Sequence, residues 1–309
     1  MASLSEKIKL KAAELGIDKI GFARAVELVE DRPRFLNWLE LGYHGKMAWM
    51  EGEPEKRTDP RLVFPEAKSV ISIAVNYFTP AKHDVGGKIS RYAWGDDYHD
   101  VVKEKLAALR DWIVEEEPTA LGKVCVDTSP VMEKAWAVRA GVGWIGKHSN
   151  VITKEYGSWV FLGEILLNLE LDYDEPAIDH CGTCRICLDA CPTAAITESQ
   201  VIDSSKCISY ATIELRDDEL PEEISSNLNG WLYGCDICQD VCPWNRFEQP
   251  TEETRFAPRL DETSLNLYVI ESLTPESYAA RFRKSAMKRT KLAGLQRNAR
   301  ALREAEPQD

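Results

Sequence analysis

Eight of the nine cysteines in this chain fall in two runs between residues 181 and 242. The first reads Cys181-x-x-Cys184-x-x-Cys187-x-x-x-Cys191-Pro192. The second begins at Cys207 and closes as Cys235-x-x-Cys238-x-x-x-Cys242-Pro243. Two-residue spacings let three thiolates wrap one iron–sulfur cube, while the cysteine just before the proline ligates the other cube. The spacing therefore assigns one 4Fe–4S centre to Cys181, Cys184, Cys187 and Cys242. It assigns a second to Cys191, Cys207, Cys235 and Cys238. A chain so built moves electrons one at a time.

Zinc and disulfides are the competing uses of paired cysteines. Structural zinc closes with four ligands from two knuckles, which leaves no role for a third cysteine two residues further on. The Cys-Pro ending repeated in both runs has no zinc rationale either. Disulfide frameworks belong to small secreted chains, and this one has 309 residues. Its N-terminus alternates charged and apolar residues and lacks the apolar core of a signal peptide. No apolar stretch approaches the ~20 residues that span a bilayer. The expectation is a protein of the reducing cytoplasm with no membrane association.

The net charge of −13 argues against wholesale nucleic-acid binding. The distribution argues otherwise. Residues 279–303 hold nine Lys or Arg and no acidic residue, a local field suited to a phosphate backbone. A solvated helical face is the plainer reading of such a run.

Hydrophobic period predicts alternating helix and strand over the first ~170 residues. Helices are expected from Ser5 to Leu15, Arg34 to Leu41, Tyr98 to Glu116 and Val131 to Ala140. Strands are expected at Lys19–Ala23, Ser69–Phe78, Lys123–Asp127 and Trp159–Asn168. Within Tyr98–Glu116, Val101, Val102, Leu106, Leu109 and Ile113 share one side. The acidic segment Glu170–His180 marks a boundary. Three units follow: residues 1–172, an α/β domain; 173–250, the two-cluster domain; and 251–309, loop-like until a basic helical segment begins near Pro275.

Several stretches of the first unit are too specific to be core filler. They are Arg57-Thr-Asp-Pro-Arg61, Arg91-Tyr-Ala-Trp-Gly-Asp-Asp-Tyr-His99, Val126-Asp-Thr-Ser-Pro130 and Gly141-Val-Gly-Trp-Ile-Gly-Lys-His-Ser-Asn150. The last is not a P-loop, because its glycines sit too close together. These stretches, with the paired cysteine runs and SAMKRTKLAGLQRN, closely resemble the epoxyqueuosine reductase family over about residues 57–298. The resemblance implies a cobalamin-binding α/β domain fused to a ferredoxin-like domain and a short C-terminal helical segment. It implies that electrons from an external low-potential donor pass through the clusters to cobalamin, which removes the epoxide oxygen from epoxyqueuosine in a tRNA anticodon loop. Family members often carry a C-terminal helical-repeat extension that helps hold tRNA. The basic segment 279–303 is expected to carry more of that contact here.

The family pattern makes Asp127 the general acid for the departing oxygen. That role requires a carboxyl kept protonated by burial near the corrin; capping the next helix is the plainer role. Asp97, Tyr98 and His99 are expected to line the cobalamin pocket, His99 as a hydrogen-bonding group and not as a cobalt ligand. Arg57 and Lys147 are expected to bind corrin amides, phosphate or substrate. Ser149, Ser158 and Ser209 are expected to donate to corrin amides, and Trp94, Trp144 and Trp159 to wall the corrin or the base. Cys125 reads as a small buried hydrophobe. Two other functions compete: a small-molecule reductase like the reductive dehalogenases, and a ferredoxin-type electron carrier.

Overall fold

Strand Ser69–Asn76 is buried at every residue, so protein must cover both of its faces. In the computed structural model, which describes residues 2–305, this strand lies inside a four-stranded sheet. It pairs with Lys19–Arg24 on one edge and Val160–Leu167 on the other, and Val160–Leu167 pairs with Gly122–Cys125. Every pairing is antiparallel. Helices do separate the strands in sequence, as the hydrophobic period indicates. Neighbouring strands all run in opposite directions, so the unit is α+β, a choice that periodicity does not make.

The two-residue alternation divides the sheet. Ile71, Ile73, Val75, Ile165 and Leu167 pack with Ile8, Val102, Leu106 and Leu109 of helices Leu4–Glu14 and Tyr98–Glu116. Val70, Ala74, Cys125 and Leu166 pack with Ala135, Trp136 and Ala137 of helix Glu133–Arg139. Helix Tyr98–Glu116 spans the expected residues and buries the five expected side chains. Asp97 caps it by accepting the His99 backbone N–H at 3.1 Å. The helix lies close against the sheet at Gly163, where a Cβ would sit 2.7 Å from Leu106 Cδ1. That approach fixes where His99 emerges.

The cluster-bearing region is built of short helices, Ile186–Ala190, Ile208–Ile213 and Ile237–Asp240, each within or just after a cysteine motif. Pro243 opens a 3-10 turn, Pro243–Phe247, as its fixed φ favours. A second sheet crosses the expected unit boundaries. Strand Trp231–Tyr233 runs parallel to Gly87–Ile89, which pairs antiparallel with Ser264–Leu265. Ile89, Trp94, Ile208, Leu232, Leu265, Leu295 and Leu302 then share one core. The stretch expected to be loop-like after residue 250 contains that strand and a helix, Leu267–Glu271. Among the described residues, no helix is long and apolar enough to cross a membrane.

Candidate active site and iron–sulfur centres

Cys181, Cys184, Cys187 and Cys242 line one cavity of about 80 Å³, together with Lys147, His148, His180 and Trp244. The thiol from the second run thus joins three from the first, as the spacing requires. Burial pushes the Cys181 thiol up, against hydrogen bonds from the Lys147 backbone and the Trp144 indole. That indole N–H is buried and has no nitrogen or oxygen partner. A donor held for sulfur fits a thiolate that carries iron.

The other four thiols keep company in the same way. Cys207 lies within electrostatic reach of Cys191, Cys235 of Cys238 and Cys207, and Cys238 of Cys207, Cys191 and Cys187. Backbone N–H groups point inward, from Ala195 to Cys191 Sγ at 3.3 Å and from Ser209 and Tyr210 to Cys207. Burial raises Cys207, Cys235 and Cys238, and iron displaces the proton on ligation. Cys187 and Cys238 interact across the two groups, so the second centre adjoins the first. All nine cysteines are free of disulfides.

The acid site forms where the first turn of helix Tyr98–Glu116 meets the loop after strand Gly122–Cys125. His99 Nδ1 lies 2.7 Å from Asp97 Oδ1, and His99 Nε2 lies 2.8 Å from Asp127 Oδ2. Burial disfavours the imidazolium, but the two carboxylates prevail and push His99 up to about 9. Burial likewise works to raise Asp127, yet the bond and charge of His99 hold it below the usual carboxylate value. The expectation of a protonated Asp127 is therefore corrected for this structure. The proton of the pair resides on the imidazole. Asp127 adopts φ of 47°, and its backbone N–H donates to Glu133 Oε1 at 2.5 Å. Tyr98 stacks between His99, at 4.1 Å, and Phe161, at 4.4 Å.

These groups line a cleft that is open to solvent. The Asp127 side chain is 50% exposed and Lys134 is open to solvent, although protein surrounds both. Desolvation lowers Lys134, whose charged neighbours are Glu133, Cys238 and Asp127. Lys134 thus lies within electrostatic reach of both the second cysteine group and the acid site. Arg289 and Lys288 of the basic segment lie within electrostatic reach of Asp127 and Asp97 respectively.

The other expected contacts divide. Ser149 Oγ and Arg57 Nε are buried without a protein partner, and Ser149 has φ of 64°. Both remain suited to a polar ligand. Lys147 is not free for a corrin: its Nζ donates to the carbonyls of Gly182 and Cys184 at 2.7 and 2.8 Å, holding the first cluster loop. Ser158 is also corrected. It is 2% exposed and bonds with Asn245 and Gln239 in a buried polar joint between the first sheet and the cluster region. Ser209 contributes its backbone N–H to Cys207. Trp144 belongs to the first cysteine cavity, while Trp94 and Trp159 are buried against the Arg91 guanidinium. Cys125 is buried, as expected. Glu133 and Lys134 were not singled out by sequence reasoning. Both lie in the stretch 126–150 that carries part of the family resemblance.

The basic run is less unopposed than its sequence suggests. Arg281, Arg289 and Arg303 pair with Glu262, Glu214 and Glu271. Arg297 is buried and donates to the carbonyls of Ala211, Leu215 and Asp217. Arg283, Lys284, Lys288, Lys291 and Arg300 remain exposed.

Comparison with known proteins agrees with this geometry. The family model described as "Epoxyqueuosine reductase QueG, DUF1730" matches residues 57–128, and that described as "4Fe-4S double cluster binding domain" matches residues 180–245. The epoxyqueuosine reductase of Cellulophaga algicola is 49% identical over 296 residues, covering 95% of this chain and 96% of that protein. Its counterpart in Synechocystis sp. is 48% identical, covering 91% and 99%. A crystal structure of epoxyqueuosine reductase with an epoxyqueuosine-modified tRNA stem loop superposes with a TM-score of 0.91 at 33% identity, covering 98% of this chain and 81% of that one. A Bacillus subtilis structure whose aspartate catalytic loop is swung out of the active site gives 0.90 at 32% identity, with the same coverage. With the paired cysteine groups and the acid cleft in place along its whole length, this chain belongs to the epoxyqueuosine reductase family.

Proposed function

We propose that this chain reduces epoxyqueuosine in tRNA to queuosine, with electrons from an external low-potential donor passing through two 4Fe–4S clusters to cobalamin held in the cleft. The observation that carries the reading is the joining of an acid site to a two-cluster chain: His99 bonds Asp127, Asp127 bonds Glu133, and Lys134 next to Glu133 feels the charge of both Asp127 and Cys238 of the second group. An electron carrier needs the cysteine groups alone and leaves this cleft unexplained. The setting is a reducing cytoplasm, and the division of labour follows residues 1–172, 173–250 and 251–309.

The clusters supply one-electron relay and cobalamin supplies reductive cleavage of carbon–oxygen bonds. The chain fits such a cofactor because Ser149 Oγ and Arg57 Nε are buried donors with no protein partner. Asp97, Tyr98, His99, Ser149 and Arg57 hold it there. Asp127 and His99 act on the proton: His99 carries it in the resting site and Asp127 delivers it to the departing oxygen. The positive φ of Asp127 places this carboxylate on a tight turn, the counterpart here of the loop that swings in the Bacillus subtilis structure. The exposed cations Lys284, Lys288, Lys291 and Arg300 bear the tRNA backbone, and the wobble base leaves its stack to enter the cleft.

The test is anaerobic incubation with cobalamin, a low-potential reductant and epoxyqueuosine-containing tRNA, followed by nucleoside mass analysis. Conversion to a nucleoside lacking one oxygen is the expected result. A protein with full iron and bound corrin that leaves the nucleoside unchanged would overturn the proposal. Conversion of free small-molecule epoxides or halides, unaffected by competing tRNA, would favour the dehalogenase-like reading.

A further inference from the structure

Removal of an epoxide oxygen as water, with a carbon–carbon double bond left behind, consumes two electrons and two protons. The His99–Asp127 pair holds one proton. A second store lies behind it. Glu164 is completely buried on strand Val160–Leu167, with Ser72 and Cys125 as its cross-strand neighbours. Cross-strand neighbours share a face, and this is the face covered by helix Glu133–Arg139. Ser72 Oγ lies 3.5 Å from Glu164 Oε1, while Glu164 Oε2 is buried with no partner. Glu133 begins the covering helix and accepts the Asp127 backbone N–H.

We propose, building on the function above, that half-buried Glu133 and buried Glu164 form a carboxyl pair that resupplies the Asp127–His99 acid with the second proton. Glu133 is a positioning residue acting through Asp127. In the step, Asp127 passes the His99 proton to the departing oxygen, and the Glu133 carboxyl then supplies the second proton through the Asp127 carboxylate. The electrons come from the external low-potential donor through the clusters. An ionised carboxylate inside an apolar face is costly, so both groups stay neutral. Burial raises both Glu133 and Glu164; the charge of Asp127 adds to the rise at Glu133, and that of Glu133 adds to the rise at Glu164. The other charged or titratable groups facing Glu133 are Lys134 on its own helix, Tyr98 and His99 on helix Tyr98–Glu116, and Cys125 on the edge strand.

Two measurements decide this. Infrared difference spectra of the purified cluster-bearing protein, taken through an alkaline titration, should show a protonated-carboxyl band that persists well above the ordinary carboxylate range. The band should shrink in both Glu133→Gln and Glu164→Gln. In turnover, Glu133→Gln keeps an acceptor for the Asp127 N–H, so KM and corrin absorption should hold while kcat falls at least about ten-fold. The alkaline limb of its pH profile should change, and Glu133→Asp should recover part of the rate. A Glu133→Gln enzyme with wild-type kcat and an unchanged alkaline limb would overturn the proposal. So would a carboxyl band untouched by either substitution. If wild-type protein fails to convert the tRNA, the proposed function falls, while the infrared bands still judge the carboxyl pair.

Discussion

The two cysteine groups are alike in ligand count and unlike in surroundings. The first lines its cavity beside Lys147, His148, His180 and Trp244, with Ile186 47% exposed nearby. The second adjoins Lys134, which lies within electrostatic reach of Asp127 as well. Similar spacing thus yields a surface-side centre and a cleft-side centre. Under the proposed function, electrons enter at the first and leave from the second. The polar groups around each follow that order: Lys147 pins the outer loop by its carbonyls, whereas Lys134 faces the inner thiols and the acid site together.

The severest way to break this pairing is to remove a thiol that crosses between the runs. Cys242→Ala should abolish turnover and lower iron content by about half, with the second centre retained, because three thiols seldom hold a cube that four were built for. Iron and sulfide quantitation on anaerobic protein checks it. If Cys242→Ala instead empties the second centre, the assignment of ligands is reversed. Next in size, Asp127→Asn should slow turnover by roughly 10²–10⁴-fold while corrin absorption is kept. Wild-type speed in that variant would remove Asp127 from the acid role.

A pH titration sharpens the inner end. His99 is raised to about 9 from its ordinary 6.5, so the folded protein binds its proton more tightly than the unfolded chain does. The stability this pair contributes is complete below about 6.5 and is lost as pH rises through about 9. The His99 ring signal in nuclear magnetic resonance should titrate near the upper value and fall toward the lower one in Asp127→Asn. A ring that titrates at its ordinary value in wild-type protein would remove the ion pair. The smallest expected effect lies outside both centres. Replacing Lys288, Lys291 and Arg300 together with alanine should weaken stem-loop binding about ten-fold at moderate salt and flatten its salt dependence. Arg297→Ala should instead destabilise the fold, because it leaves two buried carbonyls and one partly buried one short of a donor.

Much of this was legible in the residues themselves. Helix Tyr98–Glu116 declared its span and its buried stripe, because a 3.6-residue period and an Asp cap are local properties. The Lys147 and Ser158 expectations did not survive, because a lysine or serine in a loop is defined by whatever the fold brings near it. Lys147 met the carbonyls of Gly182 and Cys184, and Ser158 met Asn245. Sheet direction was hidden for the same reason, since alternation records which residues are buried and not which way a returning chain runs.

Cysteine spacing alone determined the two ligand groups, because a metal cube constrains sequence separation as tightly as it constrains distance. Only the tertiary structure decided that Asp127 sits beside His99 with its proton on the imidazole, that Glu133 stands behind it, and that four of nine basic residues are spent on internal partners. Each of those outcomes depends on desolvation and on charges contributed by other elements. Protonation states are set by that surrounding field, which no short stretch of sequence contains.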